Sequence, residues 1–468
     1  MNVKINTIHI VFLLVLSILT KEPLLFFYAG ALFLYILKTF WRVNEPKHLL
    51  VNMLLYWSVV AILIPYAELV GKPVNYLTRY GKSDLRLASW MGLFALTFYL
   101  IGISGIIKKV KSIQQETLHD ILSRYDSKRL ILLYVIVSIV SALLNSSIIN
   151  VPGAQLLLAV SYLKWVLLTF LIVQTLVLVK NRNIVILVVI VEVLLSFSGF
   201  WAAFKDYVIV ALGAYLMFSH RLSFRSYLII SLVFSLSLFL AVIWTYSKGE
   251  YRQYLTGGER SQVIVKQDNI GNIKKFYEIV QRDFSSENFA DNFLTGLENL
   301  VYRVSYVEFL ALTMRQVPTY IPHENGNLLI NAFEHIIKPR ILFPEKKPIY
   351  DSELTSKYTG VQFAGAEQGT SFSLGTVAES YVDFGKYYMF VPIFFFGLWV
   401  GWMYRYFIIN GYNIIWGMCF SAPIFQFAWS FPVPTAKFLG WSVTYFIGFW
   451  FLNKFIIKYL DNWLLKKV

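Results

Sequence analysis

The stretch SYLIISLVFSLSLFLAVIWTY, residues Ser226–Tyr246, decides the fold class of this chain, because it contains no charged side chain. A helix of about 20 apolar residues is long enough to cross the hydrocarbon core of a bilayer. Similar apolar blocks recur along the 468 residues. Charged residues make up only 15% of the chain, compared with about 25% of a typical soluble protein. The sequence therefore predicts an all-α protein that crosses a membrane many times.

The apolar blocks also predict how the chain is organised. We predict twelve spans, at 6–20, 24–40, 48–68, 87–107, 130–149, 154–179, 183–199, 201–219, 226–246, 386–408, 412–430 and 435–457. The chain then consists of an N-terminal membrane domain (1–246), a long polar segment (247–384), and a C-terminal membrane region with a basic tail (385–468). Apolar residues at helical spacing predict helices in the polar segment, at Asn269–Arg282 and Ala290–Val317.

The distribution of charge predicts the orientation of the chain. The net charge is +15, yet the polar segment holds 14 Lys and Arg against 17 Asp and Glu. The positive surplus therefore lies on short loops between spans, such as the loop with Lys108, Lys109 and Lys111. This pattern is typical of membrane orientation rather than of nucleic-acid binding, and it predicts both termini in the cytoplasm and the polar segment outside. The lone cysteine, Cys419, predicts no disulfide.

Four ionisable residues fall inside predicted spans: Lys164, Glu192, Lys205 and Asp206. Such residues are costly in a bilayer and usually face a cavity or each other. Lys164 and Glu192 lie near the middle of neighbouring spans, which favours a structural ion pair. Lys205 follows a predicted helix break at Ser198–Gly199. Its position suits binding of a lipid-linked phosphate, with a side chain extending to the interface as the alternative.

Basic residues of the polar segment form candidate phosphate contacts. Arg303 lies on a predicted helix, and a second group lies in the stretch Glu334–Pro348, which its prolines make rigid and extended. Arginine grips phosphate with paired donors. A solvated basic turn is the alternative for the second group, which contains His335, Lys338, Arg340, Lys346 and Lys347.

The end of the polar segment supplies candidate glycan-binding and catalytic residues. A stretch rich in Gly, Ser and Thr, Gly365–Gly375, brings backbone N–H groups near a substrate, and Glu379 then precedes Asp383 by one helical turn. A carboxylate here can act as general base on a sugar hydroxyl, whereas a helix-start pair or an ion pair with arginine is the alternative. The candidate glycan-binding residues are Glu367, Thr370, Ser371 and Asp383.

Metal and nucleotide signals are weak in this sequence. His323 and His335 are twelve residues apart, and neither a His-Glu-x-x-His motif nor a phosphate-binding glycine loop is present. We therefore predict a function without metal or cofactor, and a donor that is linked to lipid.

Several short motifs together resemble the Wzy-type polysaccharide polymerases, also called oligosaccharide repeat-unit or O-antigen polymerases. The matching pieces are Pro339–Pro344, Lys347-Pro348, Thr370–Gly375, Glu379 and Asp383-Phe-Gly385. The stretch from Ser198-Gly199 to Lys205 is similar to a Ser-Gly-Ser-Arg element of that family, with lysine in place of arginine.

The resemblance implies a GT-C-like membrane fold and a metal-independent, inverting glycosyl transfer at the outer face of the bacterial cytoplasmic membrane. A glycan on undecaprenyl pyrophosphate moves onto a new lipid-linked repeat unit. Membrane lipid, a chain-length regulator and a flippase are the implied partners, and nucleic acid is not one. Cations stabilise the leaving pyrophosphate, and Glu379, then His335, is the implied base. The cation candidates are Arg303, Arg340, Lys205, Lys338 and Lys347, with Arg340 also counted as catalytic.

Three other functions stay open at this stage. An O-antigen ligase shares the lipid-pyrophosphate donor but uses a lipid A-core acceptor. A lipid-oligosaccharide flippase also fits twelve spans, although it favours short loops and two similar halves. A scaffold of a polysaccharide assembly complex needs no chemistry at all.

Overall fold

The computed structural model describes residues 7–40, 48–107, 115–147, 154–197, 204–218, 224–259, 265, 268–285, 287–338, 343, 345–346, 351–365, 368, 370–424 and 432–466. Within these ranges the regular structure is helical, and an isolated bridge joins Tyr125 to Leu465. The α-helices are α1 (Thr7–Ile18), α2 (Pro23–Phe40), α3 (His48–Ala61), α4 (Leu63–Leu69), α5 (Leu85–Ile107), α6 (Gln115–Ser123), α7 (Ser127–Ser147), α8 (Ala154–Leu178), α9 (Arg182–Ser196), α10 (Phe204–Phe218), α11 (Phe224–Leu255), α12 (Asn269–Asp283), α13 (Phe289–Ser305), α14 (Val307–Gln316), α15 (Asn327–Ile337), α16 (Asp351–Thr359), α17 (Thr376–Tyr388), α18 (Phe390–Asn410), α19 (Ile414–Ser421), α20 (Thr435–Phe451) and α21 (Ile457–Leu464).

Five stretches of described helix are long and apolar enough to cross a membrane, judged by length and composition. They are Pro23–Phe40, Leu85–Ile107, Ser161–Leu178, Ser226–Leu255 and Phe390–Asn410. The all-α class predicted from the sequence is confirmed for the described residues, and five of the predicted spans coincide with helices that could cross a membrane. Helices overlap the other seven predicted spans as well, and their crossing of the bilayer stays a prediction.

Helix α11 continues past the predicted end of its span at Tyr246 and ends at Leu255. Its 32 residues measure about 48 Å, whereas the hydrocarbon core is about 30 Å thick. The first charged residue after Arg225 is Lys248. The part of α11 from Ser247 onward therefore projects beyond the bilayer core, and the predicted domain boundary at 246/247 lies inside a continuous helix.

Helices α5 and α18 pack closely through glycine. Gly397 and Gly401 lie one turn apart on α18, and a Cβ at Gly397 would overlap the backbone oxygen of Tyr99 on α5. A Cβ at Gly401 would lie 3.0 Å from the backbone oxygen of Ile103. Small residues at such spacing let membrane helices approach closely and gain van der Waals contact.

The predicted Lys164–Glu192 pair forms in the structure. The Lys164 ammonium lies 2.8 Å from one Glu192 oxygen, which also accepts a hydrogen bond from the Tyr207 hydroxyl at 2.8 Å. The other Glu192 oxygen accepts from the Tyr134 hydroxyl at 2.7 Å. The network joins α7, α8, α9 and α10, and its charges are satisfied by one another.

The polar segment folds as helices α12 to α16 and most of α17, and α13 and α14 are among the helices that anchor it to the bundle. Gly296 of α13 lies against α11, so that an added Cβ would be 3.0 Å from the backbone oxygen of Val242. The Glu308 carboxylate of α14 accepts from the N–H groups of Arg79 and Tyr80, at 2.5 and 2.9 Å. These bonds fix the connection between α4 and α5 beneath the polar segment.

The helices predicted in the polar segment are partly confirmed. Asn269–Arg282 corresponds to α12, whose N-cap Asp268 accepts from the Ile270 N–H. The stretch Ala290–Val317 is interrupted at Tyr306, which has φ +54° and separates α13 from α14. A left-handed conformation is unusual for a bulky aromatic residue and is held by the contacts around it.

Candidate functional site

Four basic side chains converge where the projecting end of α11 meets α13 and the connection after α4. We call Arg79, Lys248, Arg252 and Arg303 the cationic cluster. They are close enough that Arg303, Arg252 and Arg79 each repel the Lys248 ammonium. Lys248 and Arg252 share one face of α11, because they are four residues apart on a continuous helix.

Two members of the cationic cluster, Lys248 and Arg252, are half-buried, whereas Arg79 and Arg303 are exposed. Loss of water, followed by repulsion from the three arginines, lowers the pKa of Lys248 to about 7. Loss of water also lowers the pKa of Arg252, to about 10, with repulsion from Arg303 as the second cause. The Arg303 side chain keeps an exposed edge, yet the protein atoms around it remove enough water to lower its pKa as well.

The cluster has few compensating partners in the described part of the chain. Arg79 donates to the Asn299 side-chain oxygen at 2.8 Å and lies 4.8 Å from the centre of the Tyr302 ring. Among the described residues, neither Lys248 nor Arg303 has a hydrogen-bond or ion-pair partner. Positive charges that repel one another are costly where the protein keeps water away from them. An anion with several oxygens offsets that cost, so the chemistry of the cluster is that of an anion-binding site.

Three carboxylates gather on the other side of Tyr306, and we call Asp351, Glu379 and Asp383 the acidic cluster. Glu379 is buried and accepts from the backbone N–H of Thr435 at 2.8 Å. Burial, with smaller contributions from the charges of Asp351 and Asp383, raises the pKa of Glu379 to about 7. A carboxyl group with such a pKa can take up and release a proton near neutral pH.

Asp351 is the link between the acidic cluster and the last long helix. One of its oxygens forms an ion pair with Lys437 on α20 and accepts from the Ser371 hydroxyl at 3.1 Å. Its other oxygen is buried and has no partner among the described residues. Because Asp351 is 6% exposed, the ion pair ties the polar segment to α20 in a poorly hydrated place.

Tyr306 stands between the two clusters. Its hydroxyl donates to the Ser373 carbonyl at 2.8 Å and accepts from the Ser373 N–H at 3.3 Å. Burial is the main cause that raises the pKa of Tyr306, and the charges of both Asp351 and Arg303 act on it. The cationic and acidic clusters are therefore neighbours, joined by one strained and tightly held residue.

The structure separates the residues that the sequence grouped as phosphate contacts. Arg303 belongs to the cationic cluster, whereas Lys205 lies exposed in the first turn of α10 beside Asp206. Lys338 is exposed and pairs with Glu334 at 3.4 Å. His335 lies on α15, and its backbone carbonyl accepts from Lys346. Arg340 and Lys347 lie outside the described residues.

The predicted glycan-binding residues also lie in different places in the structure. Ser371 contacts the acidic cluster, whereas the Thr370 hydroxyl donates to the Ala364 carbonyl at 2.9 Å within its own turn. Glu379 and Asp383 share α17, as predicted, but Asp383 accepts from the N–H groups of Leu328 and Leu329, at 3.0 and 2.8 Å. Its carboxylate thus caps α15, and a glycan contact for it stays a prediction. Glu367 lies outside the described residues.

Sequence reasoning missed four residues of the two clusters, Arg79, Lys248, Arg252 and Asp351, and also Lys437, the ion-pair partner of Asp351. The pair at 248 and 252 carried a usable signal, since two basic residues four apart follow an apolar span directly. The Asp351–Lys437 pair joins residues 86 apart in the chain, and no local pattern reveals it.

Comparison with known proteins identifies a family. A family model described as a domain of unknown function (DUF8712) matches residues 89–460, which include both clusters except Arg79. No curated protein and no solved structure matches the chain. Because the match covers well over half of its length, the chain belongs to the DUF8712 family.

Proposed function

We propose that this protein is a membrane glycosyltransferase of the polysaccharide-polymerase type, which transfers a glycan from a lipid pyrophosphate onto a lipid-linked repeat unit. The proposal includes about twelve spans in a GT-C-like arrangement and a bacterial cytoplasmic membrane, with the polar segment on its outer face. One observation carries it: a cluster of four cations and a carboxyl group whose pKa is about 7 belong to two groups of charge that meet at Tyr306.

The proposed roles follow from the chemistry of an inverting transfer. The acceptor hydroxyl oxygen attacks the anomeric carbon, and its proton passes to Glu379. The bond from that carbon to the phosphate oxygen breaks, and the pyrophosphate leaves with the electron pair. Arg303, Arg252 and Arg79 stabilise the charge that develops on the leaving group, because the fold already holds all three near Lys248.

The position of the clusters supports this reaction more than transport. Both are built from the polar segment and the helix ends that it contacts, whereas the Lys164–Glu192 charges in the bundle are paired. A donor whose isoprenoid lies in the bilayer has its phosphates at this level. A flippase instead needs charged groups along a central pathway.

Reconstituted protein gives the direct test. The purified chain in vesicles receives a synthetic repeat unit on undecaprenyl pyrophosphate, and the products are separated on a gel. Products with several repeats support a polymerase. Transfer only to an added lipid A-core acceptor indicates a ligase, and failure of the wild-type chain to make any transfer product contradicts the proposal.

A matched pair of variants tests whether the cationic cluster matters in that assay. Arg303→Ala removes one charge from the cluster, and Lys274→Ala removes one from an exposed position of α12. The proposal expects loss of polymer in the first variant and wild-type products in the second. Equal products in both, at equal protein level, contradict the role of the cluster.

A further inference from the structure

Helix α15 has an exposed surface that is divided into two strips. At about 100° per residue, its packed side contains Leu328, Leu329, Ala332 and Ile336. The rest of the helix is exposed, but not uniformly polar.

One exposed strip of α15 is apolar. Ile330, Phe333 and Ile337 are 56%, 48% and 74% exposed, and they fall within an arc of about 60° on the helix. We call them the apolar strip. The other exposed strip contains Asn331 and Glu334, and we call it the polar strip. The apolar strip lies between the packed side and the polar strip, which is the arrangement of a helix lying at a membrane surface.

The neighbours of α15 place it near the bilayer. It packs against α17 and α20, and its N-terminus is capped by Asp383, shortly before α18 begins. The first turns of α18 expose Val391 and Phe395, whose side chains are 50% and 58% exposed. Because α18 is one of the five helices that can span a membrane, these exposed apolar side chains face lipid.

Aromatic residues mark the same level of the molecule. Tyr387 and Tyr388, at the end of α17, are 80% and 71% exposed. Tyrosine is enriched where a protein passes from the hydrocarbon core to water. The exposed apolar side chains of α15, the end of α17 and the start of α18 therefore lie on consecutive or directly packed elements.

We propose that α15 is an interfacial helix, which buries Ile330, Phe333 and Ile337 among the acyl chains of the adjacent leaflet and keeps Asn331 and Glu334 in water. The occupant of this surface is bilayer lipid. The inference stands apart from the proposed enzymatic function, since it depends on the position of α15 and not on either cluster.

Site-directed spin labelling of the full chain tests this placement. Cys419 is buried, so the unsubstituted protein serves to measure background labelling. Single labels are placed with Ile330→Cys, Phe333→Cys and Ile337→Cys, and with Asn331→Cys and Glu334→Cys as controls on the same helix. Each protein is reconstituted in vesicles of phosphatidylethanolamine and phosphatidylglycerol, and collisions with oxygen and with a water-soluble nickel chelate are measured.

The proposal expects a reversal between the two strips. Labels at 330, 333 and 337 collide more with oxygen than with the nickel chelate, and labels at 331 and 334 show the opposite. Each variant must give the same circular dichroism spectrum as the wild type, which shows that its fold is unchanged. The three positions of the apolar strip must also agree with one another, so that a local disturbance at one label does not decide the result. Strong nickel collisions at all five positions overturn the proposal. Protection from both reagents also overturns it, with spin–spin broadening indicating a second copy and its absence another protein partner.

Discussion

Two groups of charge in this molecule differ in how they are compensated. Glu192 accepts hydrogen bonds from Lys164, Tyr134 and Tyr207, so the charges between the spans satisfy one another. Lys248 and Arg303 have no such partners among the described residues, and they face further arginines. The comparison separates a structural network from the site where we propose that a phosphate ligand binds.

Breaking the paired network is expected to have the largest effect. Lys164→Met leaves the Glu192 charge buried without its cation, which costs about 3–5 kcal/mol of unfolding free energy. The double variant Lys164→Met/Glu192→Leu is expected to recover most of this loss, since no buried charge remains. Unfolding in detergent micelles measures both. If the single variant is as stable as wild type, the network is not structural.

Removing a cation from the uncompensated cluster is expected to affect activity rather than folding. Arg303→Ala lowers turnover by about 10²–10³-fold, as loss of one preorganised donor does in other active sites. Arg303→Lys keeps the positive charge but loses the paired donors, so it is expected to be more active than Arg303→Ala and less active than wild type. The measurement is the initial rate with the lipid-linked donor. Full activity of Arg303→Lys argues against a bidentate contact between Arg303 and phosphate.

The protonation of Glu379 is expected to make the reaction rate depend on pH. A base with a pKa of about 7 is protonated below that pH, so the rate is expected to fall about tenfold per pH unit below it. Glu379→Gln removes the base and is expected to flatten this profile at a low rate. A wild-type profile without a transition between pH 6 and pH 8 contradicts the assignment.

Glu379 is also expected to make the free energy of unfolding depend on pH. The folded state binds the Glu379 proton more tightly than the unfolded state, whose carboxyl has a pKa near 4.5. Stability is therefore lost as the pH rises from about 4.5 to about 7. In Glu379→Gln this loss is absent, and unfolding curves at pH 5 and pH 8 measure the difference.

Substitution of Lys248 is expected to have the smallest effect. It is expected to raise the free energy of unfolding, whereas substitution of Lys164 lowers it. Its pKa in the folded state is lowered to about 7, so the folded state binds fewer protons than the unfolded state between about pH 7 and pH 10.5. Stability rises with pH in this range. Lys248→Met is expected to stabilise the protein at pH 7 by about 1 kcal/mol, because water in the cluster screens part of the repulsion. Destabilisation by this variant, measured by unfolding, argues against an uncompensated charge.

The sequence predicted those features that depend on local composition. Uninterrupted apolar blocks indicated membrane helices, and the spacing at Asn269–Arg282 indicated α12. The break at Tyr306 was not predictable, because its left-handed conformation depends on contacts with Ser373, far along the chain. The sites show the same limit. Arg303 and Glu379 were identified by residue type and neighbours, whereas the Asp351–Lys437 pair exists only after distant segments have folded together.

Binding of inorganic pyrophosphate to the purified chain tests the central claim, that the cationic cluster holds a phosphate ligand. Titration calorimetry at pH 7 and low salt compares wild type with Arg303→Ala and Lys274→Ala. We expect one site in wild type, unchanged affinity in Lys274→Ala, and affinity at least about tenfold weaker in Arg303→Ala, in line with a lost charged hydrogen bond. No binding by wild type, or equal affinity in wild type and Arg303→Ala, would contradict the claim.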